Sequence, residues 1–286
     1  MGIAVQFATP AQAVPRVVVS LKPLHSLVAA VMDGVGTPAL LLGGATSPHI
    51  YTLKPSDSRA LAEADVVVWG GEGLETYLRK PIDAVAGRAR VVTLGEEAGL
   101  ALLPVRDGHD HEHGTHDMHF WLDPENAARV VTHVAGVLAA IDPVNAARYA
   151  ANRDVQLAAL RTLDAELGRT LQDAAGKPFL TLHDAFQYWE VRYHLTGLGA
   201  LTVNPDRVPG ARSFGAMRQT INDSGSRCVF GEAQFPQALG IALVDGTRAK
   251  LVTVDTLGTN VPPGVQAYAT VLRGLAQAFR TCLVSE

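Results

Sequence analysis

The chain has 286 residues, enough for one large domain or two of ordinary size. Hydrophobic residues make up 48% and charged residues 18%, which excludes a disordered polymer and supplies ample core. A net charge of −4 without any basic run argues against nucleic acid as a partner, and no apolar run reaches the roughly 18 residues of a membrane helix.

The first segment, 1–13 (MGIAVQFATPAQA), is small and apolar and closes on Ala11-Gln12-Ala13, the small-x-small pattern that signal peptidases cut. It lacks a basic n-region, so it reads as a signal-peptide remnant or an appended stretch, with a frayed terminus as the alternative. As a remnant it places the mature start near Val14 and the protein outside the cytoplasm.

Next, RVVVS at 16–20 predicts a buried strand, followed by a helix over 24–33 and a strand at Ala39–Leu42. A Gly-rich turn precedes a helix over Ser56–Ala64, a strand at Val66–Trp69, a helix over Gly73–Val85 and a strand from Arg90 to Leu94. Short β-branched runs alternating with helices predict a parallel sheet covered on both faces.

The alternation pauses over 104–119. Asp123-Pro124 then opens a helix to Ile141, and Asp142-Pro143 repeats the signal for a long helix reaching Leu171. Within it Tyr149, Val155, Leu157, Leu160, Leu163 and Leu167 recur at roughly helical spacing, as in a strut between two lobes. Strands are then expected at Pro178–His183, Ala200–Val203, Cys228–Gly231 and Leu251–Asp255, with helices between them and a last helix over Gln266–Thr281.

Ten histidines fall into distinct settings. His109, His111, His113 and His116 lie in GHDHEHGTHD, where imidazoles alternate with carboxylates in a solvated segment and make a weak, multivalent metal trap. His49, His119 and His183 stand instead at element boundaries among apolar neighbours that can fix a ring and exclude water. Ligands of parallel sheets collect at the carboxyl ends of strands, where His183 and Asp255 end PFLTLH and LVTVD. Three neutral imidazoles and one carboxylate form a suitable tetrahedral zinc set. Their spacing matches no short motif, so spacing alone does not choose between ligands and structural histidines. His25 borders the same region, Glu232 ends CVFGE as a supporting group, and His133 and His194 are poorer candidates.

The two cysteines, Cys228 in a strand and Cys282 in the last helix, are either paired or two buried thiols. Pairing suits an oxidising compartment and would stabilise by about 4 kcal/mol on the chain-entropy account.

Four segments in order, SPHIYTLKPSD, HFWLDPENA, TLHDAFQYW and VDTLG, resemble the marker segments of the substrate-binding proteins of zinc/manganese ABC importers, specifically the zinc-selective ZnuA type. The likeness runs from Val17 to Leu283. It implies an α/β fold of two (β/α)4 Rossmann-like lobes joined by one long rigid helix, with the metal site in the cleft between them. On that plan 14–141 is the first lobe with its His-rich loop at 107–119, 142–173 the linker helix, and 174–286 the second lobe. His49 and His119 would bind Zn2+ from the first lobe, and His183 and Asp255 from the second. Manganese-type relatives usually carry Glu at the third position, where His183 stands here, and nitrogen ligands favour zinc. Some relatives have Glu directly before the first histidine; Pro48 stands there in this chain, which leaves Asp255 or water as fourth ligand. A disulfide between Cys228 and Cys282 is also what the likeness implies. So are a membrane permease as partner, a periplasmic zinc chaperone, a monomeric state and a periplasmic location.

Affinity is then expected to fall below about pH 6.5, where imidazoles protonate, and a stiff helix limits lobe motion, so that release depends on docking to the permease. The His-rich loop either collects zinc or senses it. A zinc hydrolase is the rival reading, but HExxH, GxSxG and an evident general base are all lacking. A zinc buffer or adhesin of the same fold is the other.

Overall fold

The computed structural model describes residues 13–43, 46–49, 51–106, 114–202 and 209–284. The first-lobe strands are β1 (Val17–Leu21), β2 (Ala39–Leu42), β3 (Val66–Trp69) and β4 (Arg90–Thr93). They form one parallel sheet in the order β2-β1-β3-β4. The second lobe repeats the plan with β5 (Pro178–His183), β6 (Thr196–Thr202), β7 (Cys228–Glu232) and β8 (Lys250–Val254), in the order β6-β5-β7-β8. Sequence identity hides this repeat; strand order exposes it.

Alternation along each strand explains the layering. Val17, Val19 and Leu21 face one core, while Val18, Val67 and Trp69 face another beneath α2 (Pro55–Glu63) and α3 (Thr76–Val85). In the second lobe Leu180, Leu182 and Val229 face a third core, shared with α8 (Ala211–Ser224) and α9 (Ala238–Val244). The opposite faces of both sheets contribute to a single continuous core. Its helices are α1 (Lys22–Val31), α5 (Pro124–Ile141), α6 (Ala146–Leu171) and α10 (Ala267–Val284). Two short helices, α4 (Leu94–Glu97) and α7 (Gln187–Tyr193), complete the set.

The long helix α6 is 26 residues, about 39 Å at 1.5 Å per residue. It begins after a short 3-10 turn at Pro143–Asn145 and, rather than standing free, packs along α5 and α10. Leu160, Leu163, Leu167 and Leu171 form its buried stripe. Val155 departs from expectation: it is 71% exposed, because at 3.6 residues per turn it points roughly 120° and 140° around the helix from the buried Tyr149 and Leu160. The expected cap of α5 is present, with the Asp123 carboxylate accepting from Glu125 N–H at 2.9 Å and Pro124 at the first position.

Cys228 and Cys282 form a disulfide, which ties the start of β7 to the end of α10. Beside it Phe230 and Phe279 stack with ring centroids 3.8 Å apart. Among the described residues no helix is long and apolar enough to cross a membrane.

Candidate metal centre

Both sheets turn their carboxyl edges toward a common seam. His49 follows β2, His183 is the last residue of β5, Glu232 ends β7 and Asp255 directly follows β8. The local sequence holds each in place. Around His49, the Ser47 hydroxyl accepts the His49 N–H at 3.1 Å. Downstream, Asp57 caps α2 by accepting Lys54 N–H at 2.8 Å and the Tyr51 hydroxyl at 2.7 Å. These bonds give SPHIYTLKPSD its physical content. His119 opens a 3-10 turn over Phe120–Leu122, whose three side chains are buried.

The structure brings His49, His119 and His183 together: one ring nitrogen from each lies within 4.8 Å of the others. Ring centroids are 4.9 Å apart for His119 and His183, 5.2 Å for His49 and His183, and 5.9 Å for His49 and His119. His119 and His183 are buried, and the Trp121 and Phe235 rings stand against them at 5.3 and 5.5 Å.

Each buried imidazole leans on a carboxylate. Glu232 Oε2 accepts from His183 Nδ1 at 2.6 Å, while its other oxygen accepts from Thr256 Oγ1 at 2.6 Å and Gln234 Nε2 at 2.9 Å. A carboxylate there fixes the proton on Nδ1 and turns the Nε2 lone pair toward the cluster. That Nε2 is buried and has no hydrogen-bond partner among the described residues. Such an atom is costly unless something binds it. Burial works against charge on Glu232, but His183, the Thr256 hydroxyl and His119 outweigh it and hold the carboxyl below its ordinary range.

Asp117 does the same for His119. Its Oδ1 accepts from both the backbone N–H, at 2.9 Å, and Nδ1, at 2.8 Å. Burial disfavours charge on this imidazole, yet Asp117, with Glu232 and Asp184 further off, raises its pKa above the usual value.

Asp255 is outside the gathered set: its Oδ1 accepts Leu257 N–H at 3.2 Å and its charge faces Lys22. His25 bonds Pro38 O through Nε2 at 2.9 Å, away from the cluster, and His133 lies on α5 beside Glu97. His194 is the left-handed cap of α7. His116 is exposed, paired with Pro104 in a two-stranded ribbon. His109, His111 and His113 lie outside the described residues. Sequence reasoning missed Asp117; a carboxylate two residues before His119 was the available signal.

Two parallel α/β lobes meeting at their strand carboxyl ends, with imidazoles from both at the seam, define a two-lobed binding protein that clasps its ligand between lobes. The chain belongs to the periplasmic zinc-uptake complex component A (ZnuA) family, whose profile matches residues 17–282. The high-affinity zinc uptake system protein ZnuA of Brucella abortus (strain 2308) is 38% identical over 304 residues, covering 93% of this chain and 91% of the relative. Its counterpart in Haemophilus ducreyi is 34% identical over 288 residues, covering 93% of each. A crystal structure of ZnuA superposes with a TM-score of 0.82 at 26% identity, covering 94% of this chain and 99% of that one. A zinc-bound ZnuA deletion mutant gives 0.82 at 25% identity, covering 95% and 99%.

Proposed function

We propose that this chain binds Zn2+ in the periplasm and delivers it to the membrane permease of an ABC importer, as a binding protein and not as an enzyme. The observation that carries the reading is the buried His183 Nε2, without a hydrogen-bond partner among the described residues and facing His49 and His119. Zinc–imidazole bonds of about 2.0–2.1 Å in a tetrahedron put ligand nitrogens about 3.4 Å apart, so a small inward adjustment of the three rings seats the ion. Asp255 or water fills the fourth position.

Manganese prefers oxygen ligands, and a set of three imidazoles therefore selects zinc. Glu232 and Asp117 fix the tautomer and orientation of the rings they hold, which points the other ring nitrogen at the ion. A catalytic zinc site keeps an open position beside a general base; here Asp117 and Glu232 hold imidazoles and Asp184 faces Arg106. The 107–119 segment supplies His109, His111, His113 and His116 as a weak collecting site for zinc received from solution or from a periplasmic zinc chaperone. The Ala11-Gln12-Ala13 pattern fits export by a signal peptide, and the chain works as a monomer.

The test is a titration of wild type and His183→Ala with zinc and manganese in competition. Wild type is expected to prefer zinc, and the variant to lose tight zinc binding. An unchanged zinc affinity in His183→Ala would remove this residue from the site and the zinc assignment with it.

A further inference from the structure

Two cations of the first lobe reach across the seam, and each ties down the segment that directly follows a second-lobe candidate ligand. Lys22, the first residue of α1 directly after β1, donates from Nζ to the carbonyls of Gly258, Thr259 (3.3 Å) and Val261 (3.0 Å), just beyond Asp255. The same stretch is held further by Trp121 Nε1 on Thr256 O at 3.1 Å and Ser26 Oγ on Val265 O at 3.0 Å. All these acceptors are neutral backbone, and Lys22 is buried.

The other side is built differently. Arg106 stands on the ribbon formed by 103–106 and 114–117, where Asp117 N–H donates to Leu103 O at 2.9 Å and Val105 N–H to Thr115 O at 3.2 Å. Its guanidinium crosses to Asp184 Oδ1 at 3.1 Å and Glu190 Oε2 at 2.6 Å. Tyr188, between them on α7, accepts Leu103 N–H at 3.0 Å and donates to Asp117 O at 2.6 Å. The stretch after His183 is thus bolted to the ribbon whose last residue, Asp117, orients His119.

One charged side chain at the margin, 26% exposed, faces two carboxylates of 6% and 12% exposure. An ion pair whose cation is partly exposed opens at lower cost than a buried lysine held by three carbonyls at once, because water reaches the separating charges directly. Without the guanidinium, Asp184 and Glu190 would repel each other in a half-dry gap.

We propose that Arg106 is the clasp that sets how long the ion is held: a positioning residue, bound to no metal, whose pairing with Asp184 and Glu190 keeps His183 at binding distance from His119. Lobe separation begins there and pivots on the Lys22 side. This rests on the reading of the three histidines as zinc ligands.

The experiment compares wild type, Arg106→Gln, Arg106→Lys and Arg273→Gln as full chains loaded with zinc. Zinc release into excess chelator is followed by stopped flow, zinc affinity by chelator competition, and apoprotein stability by thermal melting. Arg106→Gln is expected to release zinc at least tenfold faster and to bind it correspondingly more weakly, with its ligands intact. Arg106→Lys, whose ammonium satisfies one carboxylate but not both, falls between; it carries the test alone should the glutamine variant not fold. Arg273→Gln breaks an exposed ion pair of α10 with Glu166 on α6, which takes part in none of the contacts described across the seam, and leaves release unchanged. Wild-type release from both Arg106 variants, or equal acceleration in Arg273→Gln, overturns the clasp. Retained zinc affinity in His183→Ala is a separate failure, since it strikes the ligand set.

Discussion

Glu75 is fully buried at the carboxyl edge of the first sheet, where Oε2 accepts the Gly70 N–H at 2.7 Å. Burial raises its pKa from the ordinary 4.5 to about 7, against the lowering effect of Ser20, the Gly70 and Gly71 N–H groups and Tyr77. Between those two pH values the folded chain keeps a proton that the unfolded chain has lost. Stability from this group is therefore fully present below pH 4.5 and declines as pH rises through about 7. At about 1.4 kcal/mol per pH unit, the decline amounts to about 3 kcal/mol. Glu75→Gln keeps a carbonyl for Gly70 and offers an amide N–H in place of the acid proton, but it cannot ionise. Urea unfolding of both proteins at pH 5 and pH 8 isolates the effect, because other titrating groups cancel in the difference. The variant should match wild type within about 1 kcal/mol at pH 5 and exceed it by about 3 kcal/mol at pH 8. Parallel stability profiles across that range would show that Glu75 ionises in the fold without penalty and refute the argument.

Two further perturbations probe the frame. Replacing both Cys228 and Cys282 by Ser removes a crosslink over a separation of 54 residues and should lower unfolding stability by about 4 kcal/mol, read as a shift in denaturant midpoint. Lys22→Met leaves the carbonyls of Gly258, Thr259 and Val261 without their donor and should cost about 3 kcal/mol in the same assay. A loss below 1 kcal/mol would mean that water replaces the ammonium.

Legibility in the sequence followed how local each cause was. β1, β3 and β5 are short β-branched or apolar runs buried along their lengths, and such runs declare themselves. β6 was expected from Ala200, but it begins at Thr196, because Gly197 and Gly199 interrupt the apolar pattern while the backbone still pairs with β5. His49, His119 and His183 were readable because each sits at an element boundary inside a recognisable segment. Tyr188 and Arg106 were not, since their contacts exist only where chain segments far apart in sequence meet, whereas Asp117, two residues before His119, was a local signal that was missed. Val155 failed for another reason: that turn of α6 is covered, with Tyr149 buried and Asn152 bonded to Val31 O and Asp33 O, but Val155 points to the opposite side of the helix.

The way each imidazole is held bears on how a tight site can also release. His183 and Glu232 end neighbouring strands, and β5 pairs with β7 in register, so the sheet itself sets their separation. His119 is held by Asp117, two residues earlier on its own chain segment. Neither pairing crosses the seam. Parting the lobes therefore separates His183 from His119 without disturbing the carboxylate behind either ring, and both halves stay oriented for the next ion. On the proposed ligand set, three metal bonds shared between two preorganised halves would give high affinity when closed, because little ordering would remain to be done on binding. A small displacement at the seam then weakens several bonds together, and the cost of that displacement depends on the contacts that do cross it. Those contacts are unequal: on one side a buried Lys22 bonds three carbonyls, and on the other a partly exposed arginine–carboxylate pair stands beside the Tyr188 bonds to Leu103 N–H and Asp117 O, so the edge with the exposed charge is where a docking partner gains most by acting.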